Sequence, residues 1–435
     1  MTYANHIRKS FITVAFIGGI LLFACHGTHT PIDNHKITCT VAIADSDYIF
    51  LSPDPIRFTV TIANDNEGRT PAVLTVTCTT DDYRFLHADT LPIILKGKQT
   101  YRREFRKENP DPGFYRYAVQ LLRNDTTIFE TKVNVGVEPE QISSPIDAKD
   151  DFKAFWENNL AELKKVAPKY KLTPQPQHSN ADYRMFLVEM RSFENELIRG
   201  YYAQPTHAGK HPVIIEYMGY NTPGYLPDTT WDGFAHFVLS IRGQGLNQPT
   251  NRFGKWIMYG LESKETYYYR GAFLDVVRAV DFVCSRPEID ADRIGVQGGS
   301  QGGALSFAAA ALDPRVKAAS PHIPFLSDYR DYFKIAAWPK NDLDEYVSKH
   351  PETSLEKIYD VLSYFDVKNL AQWITCPVIM GIGVQDEICP PHTNFAVFNQ
   401  VKSRKTWVAY PTLGHTHEVG SAYHGETMKM FAEMK

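Results

Sequence analysis

The stretch Gly295–Leu305 has the sequence GVQGGSQGGAL and places five glycines around one serine, Ser300. Gly298, Ser300 and Gly302 fit the pattern G-x-S-x-G, between an apolar run and an alanine-rich run that favours a helix. In a nucleophile elbow, the serine occupies a strained turn between a strand and a helix that pass close together, so its neighbours must be small. The stretch therefore predicts that Ser300 is a nucleophile. The amide of Gln301, at the start of the helix, is expected to face an oxyanion.

A phosphate-binding loop and a plain glycine-rich turn are the alternatives to this elbow. No G-K-[ST] follows the glycines, and no acidic residue after a second strand completes a dinucleotide-binding pattern. The strand before the motif and the helix after it are the context that a nucleophile elbow requires. We therefore favour the elbow.

Apolar runs alternate with helix-forming runs through residues 141–435. The apolar runs are HPVIIEYMGY, FVLSIRGQG, RIGVQGG, PVIMGIGVQ and TWVAYP. Strands that are apolar at nearly every position are typical of a parallel sheet with both faces covered. We predict an α/β domain here, with a mostly parallel sheet, helices on both faces and ligands at the carboxyl ends of the strands.

Residues 26–140 have a different pattern. β-branched and aromatic residues alternate with polar ones in short runs such as IRFTVTIAN and YRYAVQLLR, which Asp, Asn, Gly and Pro interrupt. This pattern predicts an all-β, immunoglobulin-like sandwich as an accessory domain. The sequence does not assign it a role, nor does it decide whether Cys39 and Cys78 form a disulfide or remain free.

The first 25 residues are typical of an export signal. Basic residues precede an apolar run, Phe11–Ala24, that is too short to span a bilayer comfortably and ends at Cys25. Leu22 at position minus three and Ala24 at minus one resemble a lipobox, which implies a lipidated Cys25. We expect an extracytoplasmic protein, lipid-anchored in the periplasm or at the cell surface. An ordinary secretory signal or a short membrane anchor is the alternative.

Composition excludes several classes of protein. The chain has 435 residues, of which 43% are hydrophobic and 22% are charged, and a net charge of −4. It is long enough for two packed domains and too apolar to be disordered. Without a basic patch we expect no nucleic-acid partner.

The remaining catalytic residues should follow Ser300 in the order acid, then histidine, because a serine hydroxyl needs a base. Asp386 follows the strand VIMGIGVQ, and Glu387 is its nearest competitor. His415 and His417 both follow the strand TWVAYP, and only one of them can be the base. A zinc site that joins them to a third histidine needs convergent ligands that this loop does not guarantee, so we expect no metal or other cofactor.

From about residue 145 to the end, the chain resembles the acetyl xylan esterase and cephalosporin C deacetylase group, carbohydrate esterase family 7. The motifs that carry the resemblance are RGQG at Arg242–Gly245, GGSQGG at Gly298–Gly303 and HE at His417–Glu418. The resemblance implies an α/β-hydrolase fold and a homo-oligomer. It also implies a serine carboxylesterase that removes acetyl groups from acetylated xylan, xylo-oligosaccharides or other small acetylated substrates through an acyl-enzyme.

The resemblance also implies roles for individual residues. Ser300 would be the nucleophile and Asp386 the acid, with an oxyanion hole from the backbone amides of Tyr220 and Gln301. The family's usual G-H-E motif is replaced here by G-H-T-H-E. Alignment without a gap from the preceding strand selects His415, whereas the His-Glu pair selects the second histidine. We favour His415 because the distance from strand to loop limits where an imidazole can reach the serine.

The sequence leaves the roles of two further residues undecided and allows two alternative functions. Arg242 and Gln244 follow the strand FVLSI at the same end of the sheet as Ser300, where they either organise the site or support the fold. One alternative function is another serine acyl hydrolase, of the peptidase type. The other is a catalytically silent protein that binds glycans.

Overall fold

The structure is a computed structural model that describes residues 31–108, 111–416 and 420–434. The export signal and the lipidation at Cys25 that we predict lie outside these residues, and so does His417. No helix within the described residues is both long and apolar enough to cross a membrane.

Two β-sheets form the N-terminal part of the chain. Their strands are β1 (Ile37–Ile43), β2 (Ile49–Phe50), β3 (Ile56–Asn64), β4 (Thr70–Thr80), β5 (Phe85–Leu95), β6 (Gln99–Lys107), β7 (Gly113–Arg123) and β8 (Thr126–Val137). One sheet has the order β1-β3-β6 and the other β2-β8-β7-β4-β5. All neighbours are antiparallel except the short β2, which runs parallel to β8.

The inner faces of these two sheets form a separate hydrophobic core. Every second residue of β3 and β4 is buried, including Phe58, Val60 and Leu74, as the alternating pattern in the sequence predicts. Cys39 and Cys78 belong to this core as free thiols, so no disulfide joins them. Burial raises the pKa of Cys39 to about 11, which keeps that thiol protonated and unreactive.

A nine-stranded sheet forms the centre of the C-terminal part. Its strands are β9 (Lys171–Pro174), β10 (Tyr183–Arg191), β11 (Leu197–Pro205), β12 (His211–Tyr217), β13 (Ala235–Ser240), β14 (Ile289–Gly299), β15 (Val316–His322), β16 (Val378–Gly383) and β17 (Lys405–Tyr410). The order is β17-β16-β15-β14-β12-β13-β11-β10-β9. Pairing is parallel from β17 to β13 and antiparallel beyond it.

Nine helices within the described residues accompany this sheet. They are α1 (Phe152–Lys165), α2 (Tyr268–Cys284), α3 (Gln301–Leu312), α4 (Tyr329–Ile335), α5 (Lys340–Lys349), α6 (Leu355–Leu362), α7 (Val367–Leu370), α8 (Pro391–Gln400) and α9 (Ser421–Ala432). Val213 and Ile215 on β12 pack into the core shared with α2 and α3. Ile214, on the other face, packs with residues of α9. Both faces of the sheet are therefore covered, and the predicted fold class, an α/β-hydrolase fold after an all-β domain, is confirmed.

The strand order places the serine motif at the usual ligand site of such a sheet. β12 lies between β13 and β14, so the chain reverses its direction of winding there. Ligands in open α/β sheets bind beyond the carboxyl ends of the strands at this reversal. Tyr220 follows the end of β12, and Ser300 directly follows β14.

Direct hydrogen bonds join the sandwich to the C-terminal sheet. The Asn134 amide in β8 donates to Gln385 Oε1 (2.8 Å), and Gln385 Nε2 donates back to the Asn134 carbonyl (3.1 Å). Asn399 in α8 donates to the carbonyls of Pro139 and Ile142 in the connecting segment. That segment thus contacts the C-terminal part directly, and the boundary at residue 140 stays a prediction of the sequence.

Candidate active site

Ser300 has the strained backbone that the glycine-rich motif predicts. Its φ and ψ are 58° and −119°, a conformation that residues with a side chain rarely adopt. A Cβ at Gly298 would lie 2.4 Å from the Tyr217 carbonyl oxygen, and one at Gly302 only 2.0 Å from it. Glycine is therefore required at both positions because β12 passes directly beside the turn.

Hydrogen bonds on both sides hold this turn in place. The Ser300 amide donates to the His322 carbonyl at the end of β15 (2.9 Å). The Ser300 carbonyl accepts the amides of Gly303 and Ala304 in α3 and that of Phe325 after β15. The strain is thus distributed over the sheet, the helix and the next loop.

Asp386 is completely buried beside this turn, and hydrogen bonds fix both oxygens of its carboxylate. Oδ1 accepts the amides of Ile388 and Cys389, each at 2.8 Å, and Oδ2 lies 2.9 Å from His415 Nδ1. Glu387, the competitor in the sequence, is exposed. The acid after β16 therefore orients a histidine, as an acid of a Ser-His-Asp site does.

The contact with Asp386 involves His415, the histidine that gapless alignment favours. The loop after β17 is fixed against the acid loop, since the Gln385 amide donates to the Leu413 carbonyl (3.0 Å). Gly414 also lies close to Gly383, where a Cβ would approach the Gly414 carbonyl to 2.6 Å. His417 lies outside the described residues.

Cys389 is a neighbour of the serine that the sequence did not reveal as one. Its Sγ lies 3.8 Å from Ser300 Oγ, and Sγ, an Asp386 oxygen and a His415 ring nitrogen lie within 4.8 Å of one another. Burial, reinforced by the negative charge of Asp386, raises the pKa of this thiol well above its ordinary value. A protonated thiol is a poor nucleophile, so Cys389 is a packing neighbour of the serine.

Gln244 connects the two segments that the oxyanion-hole prediction names. Its completely buried side chain forms two amide–amide hydrogen bonds with the side chain of Gln301, at 3.1 and 3.2 Å. Its Oε1 also accepts the amide of Asn221, which follows Tyr220 (3.0 Å). Tyr269 donates a further hydrogen bond to Gln301 (2.8 Å). One buried side chain thus sets the spacing between the Tyr220 and Gln301 segments.

Arg242 is occupied by structural contacts. Its Nε and Nη2 bond both oxygens of the buried Asp275 at 2.9 and 2.8 Å, and its backbone amide bonds the same carboxylate. Nη2 also donates to the Phe193 carbonyl (3.2 Å). These contacts favour the fold-supporting role over contact with a substrate.

A series of aromatic ring contacts starts at Phe325, next to the serine turn. Phe325, whose amide bonds the Ser300 carbonyl, stacks on Trp338 with ring centroids 5.7 Å apart. Trp338 contacts the ring of Tyr220 at 5.3 Å, and Tyr220 contacts Trp256 at 5.2 Å. The rings therefore form one connected cluster next to the loop that bonds the serine backbone.

A cavity adjoins the two glycines that precede the serine. It has a volume of about 490 Å³ and is lined by residues that include Glu216, Gln297, Gly298, Gly299 and Tyr423. Neither the serine nor its acid lines this space. The Glu216 carboxylate accepts hydrogen bonds from Tyr225 and Gln297, so its polar groups already have protein partners.

Comparison with known proteins agrees with this geometry. The family model for acetyl xylan esterase (AXE1) matches residues 141–434. The acetyl esterase Axe7A of Xylanibacter ruminicola is 30% identical over 309 residues, which are 66% of this chain and 68% of that protein.

Two solved structures resemble the C-terminal part. Acetyl xylan esterase 1 from Thermoanaerobacterium sp. has a TM-score of 0.62 at 30% identity and covers 68% of this chain and 98% of its own. The acetyl xylan esterase from Paenibacillus sp. R4 has the same TM-score at 31% identity, with the same coverage of both chains. The resemblance that the sequence motifs indicate is confirmed, and the chain belongs to the acetyl xylan esterase family of carboxylic ester hydrolases.

Proposed function

We propose that this chain is a serine deacetylase that removes acetyl groups from acetylated xylan and its oligosaccharides. The observation that carries the proposal is the contact of the buried Asp386 with His415, beside the strained turn that presents Ser300. Membership of the acetyl xylan esterase family supports the choice of substrate. It does not favour the alternatives, a peptidase-like hydrolase and a silent glycan-binding protein.

The first half of the reaction forms an acyl-enzyme. His415 accepts the proton of Ser300 as Oγ forms a bond to the acetyl carbonyl carbon, and Asp386 stabilises the imidazolium. The carbonyl oxygen becomes an oxyanion that accepts hydrogen bonds from the amides of Tyr220 and Gln301. When this intermediate collapses, the ester C–O bond breaks and the leaving sugar oxygen takes the proton from the imidazolium.

The second half restores the enzyme. His415 removes a proton from water as the water oxygen attacks the acetyl carbonyl carbon on Ser300. The new oxyanion accepts hydrogen bonds from the same two amides. When this intermediate collapses, acetic acid is released and the imidazolium returns the proton to Oγ. In each half, His415 accepts one proton and passes it to the leaving oxygen, so these proton transfers need no cofactor.

We propose that a cluster of aromatic rings near the serine turn receives the acetyl methyl group. Phe325, Trp338 and Tyr220 are in ring contact with one another, and the Phe325 amide bonds the Ser300 carbonyl. An acetyl methyl group needs only a shallow apolar site. The sugar, which leaves first, would lie toward solvent.

Replacement of the nucleophile tests the proposal directly. Ser300→Ala should lower kcat/KM for acetate release from acetylated xylo-oligosaccharide by about 10³- to 10⁶-fold, because the attacking hydroxyl is lost. Cys389→Ala is the matched control, because it removes the neighbouring thiol and leaves the hydroxyl. Acetate release by Ser300→Ala at the wild-type rate would refute the proposal.

Alanine replacement of each histidine separates the two candidate bases. His415→Ala should lower kcat by at least about 10³-fold, because it removes the imidazole that Asp386 orients. His417→Ala should stay within about tenfold of the wild type. Steady-state acetate release measures both, and the reverse ranking would assign the base to His417.

Gln244 is proposed as a positioning residue that acts through Gln301 and Asn221. Gln244→Leu removes its hydrogen bonds at similar volume and should lower kcat about 10- to 100-fold, less than the loss of a whole oxyanion donor. KM should change little, because the amides are used mainly in the transition state. The exposed Gln248→Leu is the control, and an unchanged kcat with a raised KM would instead place Gln244 in substrate binding.

A further inference from the structure

A second group of chemically reactive side chains lies where the sandwich meets the C-terminal part. An oxygen of Asp328, an oxygen of Asp331 and a ring nitrogen of His392 lie within 4.8 Å of one another. Asp328 directly precedes α4, Asp331 lies in α4, and His392 lies in the first turn of α8. None of the three belongs to the proposed catalytic site.

Two buried atoms in this group have no hydrogen-bond partner within the described residues. They are Asp328 Oδ2 and His392 Nε2. Asp328 is only 2% exposed, so its free oxygen has lost water without gaining a protein donor. Buried polar atoms almost always have a hydrogen-bond partner, so two unpaired ones in the same group of side chains indicate a ligand that completes their contacts.

Each of the two carboxylates accepts a lysine hydrogen bond through one oxygen only. Lys368 bonds Asp328 through Oδ1 (3.0 Å), and Lys334 bonds Asp331 through Oδ1 (2.7 Å). The second oxygen of Asp331, Oδ2, lies 3.9 Å from His392 Nε2, too far for a hydrogen bond. Each lysine therefore orients its carboxylate and leaves the second carboxylate oxygen without a lysine partner.

The imidazole is oriented by a carboxylate from the sandwich. His392 Nδ1 lies 2.8 Å from Asp81 Oδ2, just after β4. In a metal-bound histidine, one ring nitrogen commonly donates to a carboxylate in this way while the other nitrogen binds the ion.

We propose that Asp328, Asp331 and His392 bind one divalent transition-metal ion, with Asp81 as the outer partner of the histidine. Two bonds of about 2.1 Å to such an ion place their ligand atoms about 3.4 Å apart at a tetrahedral angle and about 4.2 Å apart when opposite, so the 3.9 Å from His392 to Asp331 corresponds to a wide angle at the ion. An imidazole with two carboxylates suits the ions from Mn²⁺ to Zn²⁺, whereas Ca²⁺ and Mg²⁺ prefer oxygen ligands alone.

An entry path and a structural consequence accompany the site. A cavity of about 260 Å³ between the two parts of the chain is lined by Asp81, Asp331 and His392, so an ion and its waters have access. Because the histidine is shared between the ion and Asp81, the bound metal would tie the sandwich to α4 and α8. Binding should therefore stabilise the folded protein.

The test uses the untagged full chain, freed of metal with EDTA and titrated with Zn²⁺ by calorimetry, with Co²⁺ absorption spectra as a second probe. The wild type should bind one ion at this site and gain thermal stability. Asp331→Asn and His392→Gln should bind Zn²⁺ at least about 100-fold more weakly, and Asp81→Asn about 10- to 100-fold more weakly, as expected for an outer partner.

Two control variants distinguish this site from its neighbours. Asp82→Asn removes a neighbouring carboxylate of the same cavity and should keep wild-type affinity. His415→Gln disables the other cluster of possible ligands, so its ion should remain at the His392 site. The proposal is overturned if His415→Gln binds no ion. It is equally overturned if Asp331→Asn and His392→Gln bind Zn²⁺ as tightly as the wild type.

Discussion

The backbone conformation of Ser300 is the constraint on which the rest of the site depends. Its φ of 58° lies in a backbone region that costs a residue with a side chain about 1–3 kcal/mol in conformational free energy. The strain persists because β12 allows nothing larger than glycine at Gly298 and Gly302, and because His322 and Phe325 bond the serine backbone. The same turn begins α3, whose first residue is Gln301.

The sandwich forms hydrogen bonds with the loop that contains Asp386. Gln385, which precedes Asp386, exchanges two hydrogen bonds with the backbone of Asn134 in β8. His392, six residues after the acid, contacts Asp81 of the sandwich. The accessory domain therefore reaches both ends of the segment whose position sets the contact with His415, although it lies outside the family match.

Local patterns were sufficient to predict the elements and the catalytic candidates. Alternation in β3, continuous apolar runs in the sheet and the glycines around Ser300 each reflect a physical requirement of one segment. The spacing after β17 favoured His415, the histidine that contacts Asp386. Cys389 beside the serine and the Gln244–Gln301 pair could not be predicted, because those contacts join segments 89 and 57 residues apart. Arg242 stayed open for the same reason until its partner, Asp275, was located.

We propose that the strained turn presents an activated hydroxyl at Ser300. Reaction with an organophosphate ester, followed by peptide mass spectrometry, tests it directly, because such reagents phosphorylate a serine only when an adjacent base removes its proton. We expect one adduct per chain, on Ser300, that forms in step with the loss of acetate release and is absent in His415→Ala. An adduct on another residue, or full inactivation with Ser300 unmodified, would show that Ser300 is not the activated nucleophile.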